Sequence, residues 1–229
     1  MELLKGFLKA LQLIVSLDPE VMEVAGRSLR ISLTSCLLAS VLCVPLGVLV
    51  YFLDFPGKRA FINLVQTLYA LPTVVVGLFV FVLLSRKGPL GDLDLLFTPT
   101  AMVIGQVILI SPILIGLVIS ALSGVGREAY ETAIALGASN FQAAVVALRE
   151  ARYSVFAAII MGFGRALSEV GCALMVGGNI RGFTRVLTTA ISLEATKGNI
   201  ELSLALGMIL LGLALSVNAV LNLLQGRYR

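Results

Sequence analysis

Residues 100–122 read TAMVIGQVILISPILIGLVISAL, a run with no ionisable side chain anywhere in it. A helix needs about 20 apolar residues to cross the hydrocarbon of a bilayer, and in lipid only a helix or a closed barrel satisfies its own backbone polar groups. Four further apolar runs of that length, at 29–52, 61–84, 156–176 and 202–224, bring the candidate spans to five. Over all 229 residues, 59% are hydrophobic and 13% are charged, and the mean hydropathy is +1.02. A soluble domain carries about 25% charged residues, so lipid must cover the surface that so few charges leave bare. The expectation is an all-α integral membrane protein, one domain over residues 1–229, with about five transmembrane helices.

The rest of the composition excludes several classes. The net charge of +4 comes from Lys and Arg scattered in ones and twos beside apolar runs, with no basic stripe or aromatic platform for nucleic acid. There is no His, and Cys36, Cys43 and Cys172 all lie inside apolar segments without CxxC spacing, so they read as packing residues rather than metal ligands. At the start, Glu2 precedes the first basic residue and no A-x-A site follows, which is unlike a signal peptide. Lys5, Lys9, Gln12 and Ser16 instead fall at helical spacing on an otherwise apolar segment. This predicts an amphipathic helix within residues 1–20, lying in the membrane interface and broken by Asp18-Pro19-Glu20.

The first three spans each hold a central proline, Pro45, Pro72 and Pro112. Proline removes a backbone donor and clashes one turn back, so each span is expected to kink, for packing geometry or for gating. Two hydrophilic stretches, 123–153 and 177–201, interrupt the spans. The first reads as two short helices. Glu128 and Glu131 sit in the opening turns of one, where the helix dipole favours negative charge. Gly137 is placed to end it, and Ser139 with Gln142 fits a capping box for the second. Alanines dominate both pieces, Ala133 and Ala138 among them. Such a pair of helices suits close docking into a groove on another protein, and it equally suits an ordinary connector.

Here the chain resembles a family. Glu131-Thr132-Ala133, three residues, then Gly137 is similar to the E-A-A-x-x-x-G motif of permease subunits in ABC importers, with Thr132 replacing an alanine. That family continues with I-x-L-P, where this chain has Ala147-Leu148-Arg149-Glu150. Phe163-Gly164-Arg165-Ala166-Leu167-Ser168-Glu169-Val170-Gly171 and Gly177-Gly178-Asn179-Ile180-Arg181-Gly182 resemble segments of molybdate/tungstate-type permeases. The stretch from Thr184 to Ile191, with Thr196-Lys197-Gly198, looks closest to the tungstate branch. The resemblance implies a type I ABC importer permease fold in the cytoplasmic membrane, working as a homodimer. It also implies two ATPase subunits, which carry the ATP and Mg, and a separate periplasmic or lipid-anchored oxyanion-binding protein. The permease itself would need no cofactor and would not be an enzyme. By the same resemblance, residues 123–153 form the cytoplasmic coupling loop, with Glu128, Glu131, Ala133, Gly137, Ala138 and Ser139 at the ATPase.

Polar residues inside spans are the remaining signal. Arg165 and Glu169, at i, i+4 spacing in the fourth run, are costly at that depth unless paired or hydrated. They read either as an internal ion pair orienting the helix, or as a source of positive potential for a dianion in transit, with Glu169 holding Arg165. Gln66, Gln106 and Ser168 join Arg165 and Glu169 as candidate pathway residues, because neutral donors pass an anion on without trapping it. Residues 177–201 emerge opposite the coupling loop, so that Asn179, Arg181 and Arg185 are either binding-protein contacts or part of a solvated loop.

A cytoplasmic coupling loop puts the N-terminus outside and the C-terminus inside. Lys58, Arg59, Arg227 and Arg229 then lie inside, as positive charge usually does, whereas Arg86 and Lys87, partly offset by Asp92 and Asp94, oppose it. Sulfate or phosphate permeases and an ATP-independent secondary transporter are the alternatives. An intramembrane enzyme would need a metal cluster or a nucleophile beside a base, and the sequence offers neither.

Overall fold

The computed structural model describes residues 2–226, and all the regular structure in them is helical. Helices α1 (Glu2–Val15) and α2 (Pro19–Phe52) are joined by the Asp18 turn, where the Asp18 carboxylate accepts a hydrogen bond of 3.0 Å from the Val21 N–H and Pro19 opens the helix. At 1.5 Å per residue, α2 is about 50 Å long, well beyond a hydrocarbon core of about 30 Å. Its first turns, which carry Glu20, Glu23 and Arg27, therefore extend past the hydrocarbon. Helix α1 forms as the sequence predicts, and one face of it packs on the last helix of the chain.

The second and fourth spans are each broken in two. Helices α3 (Lys58–Thr67) and α4 (Thr73–Leu84) meet at 98° across a 3₁₀ turn, Leu68–Ala70. Pro72 causes the break, because a proline forces the residue before it out of the helical region, and Leu71 is extended with ψ 125°. The other two central prolines lie inside continuous helices, Pro45 in α2 and Pro112 in α5 (Pro99–Ala121). The kink expected from every proline is a full break at Pro72 alone.

A π-helical turn, Leu122–Gly126, leads from α5 into the hairpin α6 (Arg127–Ala135) and α7 (Asn140–Glu150). Helices α8 (Arg152–Leu167) and α9 (Gly171–Gly177) then meet at 58° with no proline between them. Helices α10 (Leu187–Thr196) and α11 (Ile200–Gly226) complete the described chain. Three helices are long and apolar enough to cross a membrane, and five spans result when each bent pair counts as one. Arg227 and Arg229, assigned to the inside from sequence, lie outside the described residues.

Helix α5 is the axis of the bundle. Met102, Ile110, Leu114 and Val118 on it are completely buried, packed among α2, α4, α8 and α9. The lipid-facing positions fall elsewhere: Leu42 on α2, Phe79 on α4 and Leu211 on α11 are exposed, as a lipid-covered surface requires. One end of the bundle gathers the α6–α7 hairpin and the α2–α3 turn, where the Phe52 and Tyr130 rings stack at 4.4 Å. The opposite end gathers the start of α2 and residues 178–186, linked by a 2.8 Å hydrogen bond from the Leu187 N–H to Ser28 Oγ.

Candidate functional site

The two broken spans touch at their breaks. A Cβ on Gly171 would stand 2.6 Å from Thr73 Oγ1 and 2.9 Å from the Val74 side chain, so the start of α9 fits against the start of α4 only because residue 171 is glycine. Glu169 makes the second break. Its Oε1 accepts from the Cys172 N–H at 2.8 Å, capping α9, and its Oε2 accepts from Arg165 Nη1 at 2.8 Å. Its backbone oxygen accepts from Thr188 Oγ1 at 2.7 Å, tying the break to α10. With these partners Glu169 is 2% exposed, while the Arg165 side chain keeps 33% of its surface open. The carboxylate is the buried half of the pair and the guanidinium the accessible half. Ser168 is exposed beside it, its hydroxyl turned back on the Arg165 carbonyl at 3.2 Å.

The structure separates the other pathway candidates. Gln106 is buried, accepting from Ser35 Oγ at 2.8 Å and donating to the Ala166 carbonyl at 3.1 Å. It bridges α2, α5 and the last turn of α8, so it holds the helix that carries Arg165 in place. Gln66 is exposed on α3 and has no hydrogen bond to Arg165 or Glu169. Thr188 and Ser35 were not singled out from sequence. A lone hydroxyl in a run of Thr and Ser gives no sign of the distant carbonyl or amide it meets.

In the α6–α7 hairpin, Gly137 has φ +90°, a left-handed conformation that glycine adopts without penalty. The capping box is formed as read: the Gln142 N–H donates to Ser139 Oγ at 3.3 Å and the Ser139 N–H to Gln142 Oε1 at 2.9 Å. Ala133 is buried, and the Ala138 N–H donates back to its carbonyl at 3.0 Å. Glu128 is exposed, and Glu131 pairs with Arg127 at 2.9 Å, a hydrogen bond that raises the Arg127 guanidinium above its ordinary pKa. Around this frame the tip presents apolar side chains to solvent, Leu136 at 84% and Phe141 at 79% exposure.

The loop at the opposite end, residues 178–186, the outer loop by the topology expected from sequence, is built differently. Arg181 pairs with Glu20 at 2.5 Å, which raises its pKa, and it is the exposed member of the three predicted contacts. Arg185 is largely buried, 3.8 Å from Glu20, and its carbonyl accepts from Arg27 at 2.9 Å. Asn179 is half-buried at φ +52°, its amide donating to the Thr189 carbonyl at 3.3 Å. Thr184, completely buried, donates to the Gly177 carbonyl and accepts from the Ile180 N–H at 3.0 Å. Asn179 and Arg185 thus brace the loop from within.

A polytopic helical bundle with two spans broken side by side, and a capped helical hairpin projecting from one end, has the form of a transporter permease. Residues 43–229 match the family described as binding-protein-dependent transport system inner membrane component. The chain is 39% identical over 221 residues to the tungstate uptake system permease protein TupB of Peptoclostridium acidaminophilum, covering 96% of this chain and 97% of that protein. It is 44% identical over 205 residues to a probable anion ABC transporter permease protein of Haloferax volcanii, covering 87% and 88%. The fold superposes with a TM-score of 0.72, at 18% identity, on a chain from the crystal structure of a bacterial ABC transporter involved in the import of the acidic polysaccharide alginate, covering 90% of this chain and 79% of that one. The chain belongs to the binding-protein-dependent transport family: it is an ABC importer permease of the type I fold, a membrane transport component rather than an enzyme. Its family works with an ATPase and a binding protein.

Proposed function

We propose that this permease moves a tetrahedral oxyanion, tungstate first and molybdate next, into the cell. The likeness to a tungstate uptake permease along nearly the whole chain carries this reading. The geometry at the second break supports it. A bare cation at that depth would hold a dianion too tightly to release it. Arg165, with Glu169 fixed against it, offers a partly exposed guanidinium whose field is mostly cancelled, and the exposed Ser168 hydroxyl beside it can turn from the Arg165 carbonyl to the anion. Gln66, exposed on α3, is the second neutral donor of the proposed path. Two copies of the chain enclose that path, and an oxyanion-binding protein delivers the anion to the end where Arg181 is exposed.

At the other end, two ATPase subunits, which hold the ATP and Mg, dock on the hairpins. Leu136 and Phe141 enter the ATPase groove, and Glu128, Glu131 and Ser139 lie around them. Uptake measured in cells lacking other routes, with tungstate and molybdate in competition, tests the assignment. Saturable tungstate uptake that sulfate displaces poorly is expected. Uptake of a neutral sugar or an amino acid in place of either anion would overturn it.

A further inference from the structure

At the outer end of the bundle, α1, the start of α2, α10 and the start of α11 enclose a cavity of ≈430 Å³. Its floor is apolar, formed by Leu13, Val24, Leu202 and Leu206. Its rim carries four cations, Lys9, Arg181, Arg185 and Lys197, against three carboxylates, Asp18, Glu20 and Glu194. The carboxylates are all engaged. Glu20 is held by Arg181 and faces Arg185, Glu194 accepts from Lys197 at 2.9 Å and from Asn199 at 3.2 Å, and Asp18 caps α2.

Two of the donors are not engaged. The Arg185 Nε–H is buried without a hydrogen-bond partner, and Lys9, half-buried, has no ion-pair partner among the described residues. Buried donors are normally satisfied, so the cavity is short of acceptors and rich in apolar surface. An inorganic oxyanion would meet the first need and leave the floor wet. An amphiphilic anion meets both. The position favours a lipid, because α1 turns Leu8 and Val15 outward, exposed, on the helix that supplies Lys9, and the length of α2 carries this end beyond the hydrocarbon, to headgroup depth.

The geometry points to a lipid site: the cavity takes the phosphodiester headgroup of an anionic phospholipid, with Lys9 and Arg185 on the phosphate and the upper acyl carbons on Leu13, Val24, Leu202 and Leu206. Such a lipid would join α1 to the arginine-bearing outer loop, two parts of the chain linked at this cavity by no direct ion pair from Lys9.

The test uses the complete transporter, delipidated in detergent and titrated with dioleoyl-phosphatidylglycerol or dioleoyl-phosphatidylcholine, with bound lipid read by native mass spectrometry. Phosphatidylglycerol is expected to be retained where phosphatidylcholine is stripped. Lys9→Glu and Arg185→Gln should each lower that retention roughly tenfold, as removing or reversing a basic contact to an anionic headgroup does. Arg86→Gln, which changes a cation that does not line the cavity, should leave it unchanged. Should Arg185→Gln fail to fold, Lys9→Glu, at a position with no ion pair to lose, still decides. Equal retention in Lys9→Glu and the parent overturns the proposal. So does displacement of the lipid by millimolar inorganic phosphate, which would make the occupant a free oxyanion.

Discussion

The two hydrophilic interruptions of this chain are built on opposite plans. The outer loop turns inward: Thr184 bonds the Gly177 carbonyl and the Ile180 N–H, the Asn179 amide donates to the Thr189 carbonyl on α10, and the Arg185 carbonyl accepts from Arg27 on α2. The hairpin satisfies its own ends with a capping box and a glycine cap and is anchored by its base, where Ala147 and Ala151 pack on Leu122. Its tip holds Leu136 and Phe141 out in water. On the proposed function, this exposed aromatic and this exposed leucine, on a well-capped frame, are what the ATPase covers. One region turns its polar groups inward, and the other leaves apolar side chains exposed at its tip.

The largest effect follows from that difference. Phe141→Asp combined with Leu136→Asp should remove the ATPase from the purified complex and abolish uptake, since losing a central interface anchor costs about 2 kcal/mol or more, about thirtyfold in affinity. The thermal midpoint of the permease alone should stay where it is. A fall in that midpoint would mean the two side chains serve the fold, and the contrast between the regions would fail.

Thr184→Val reverses the pattern. It keeps the shape but leaves the Gly177 carbonyl and the Ile180 N–H unpaired in a buried site, where each unsatisfied group costs about 1–3 kcal/mol. A lower thermal midpoint with normal ATPase association is the expected result. Gly137→Ala should be milder. Nothing lies within 4 Å of the added Cβ, so its cost is the left-handed backbone alone, about 1–2 kcal/mol, read as a small fall in the permease midpoint or a loosened hairpin.

How far the sequence revealed this comparison depended on range. Signals carried by neighbours in the chain were legible: the capping box of Ser139 and Gln142, the glycine stop at Gly137, the break of the first helix at Asp18-Pro19-Glu20 and the five apolar runs. The start of α2 at Pro19, ten residues before the first apolar run, was not. Arg165 and Glu169 pair as the i, i+4 spacing suggests, although Glu169 lies past the end of α8, in the break, and not on the same helix. The rest depended on residues far apart in the chain. Nothing local shows that Gln106 meets Ser35 and Ala166, or that Arg185 is turned into the protein. The break at Glu169 was also hidden, because hydropathy runs through it and no proline marks it. Its only trace is Ser168-Glu169 followed two residues later by glycine, a side-chain cap in the middle of a span. The three prolines look alike in sequence, yet only Pro72 breaks its span, the one preceded by a 3₁₀ turn and an extended residue.

The smallest effect concerns pH. In the outer loop the hydrogen bond from Lys197, with another from Asn199, holds the Glu194 carboxyl below its ordinary pKa. A carboxyl depressed in the folded state adds stability above its unfolded pKa and loses it as the pH falls through the folded one. Lys197→Met lets the folded pKa rise toward the unfolded one, so it should slightly lower the stability near neutrality and make the acid limb shallower, with little change below both pKa values. An unchanged acid limb would show that the loop is not braced at Glu194.

In the proposed path the anion passes the second break, where a partly exposed guanidinium stands against a buried carboxylate. Replacing either partner alone with alanine strands the other, and the double replacement should cost less than the two single costs added, as coupled pairs do. The direct measurement is tungstate uptake by the double variant Arg165→Gln with Glu169→Gln, which keeps size and hydrogen bonding but removes both charges. Folded yield and ATPase association close to the parent, with uptake reduced roughly tenfold or more, is the predicted result, since an interaction of about 1.4 kcal/mol is a factor of ten. Parental uptake by that variant would make the pair a structural strut and contradict the pathway.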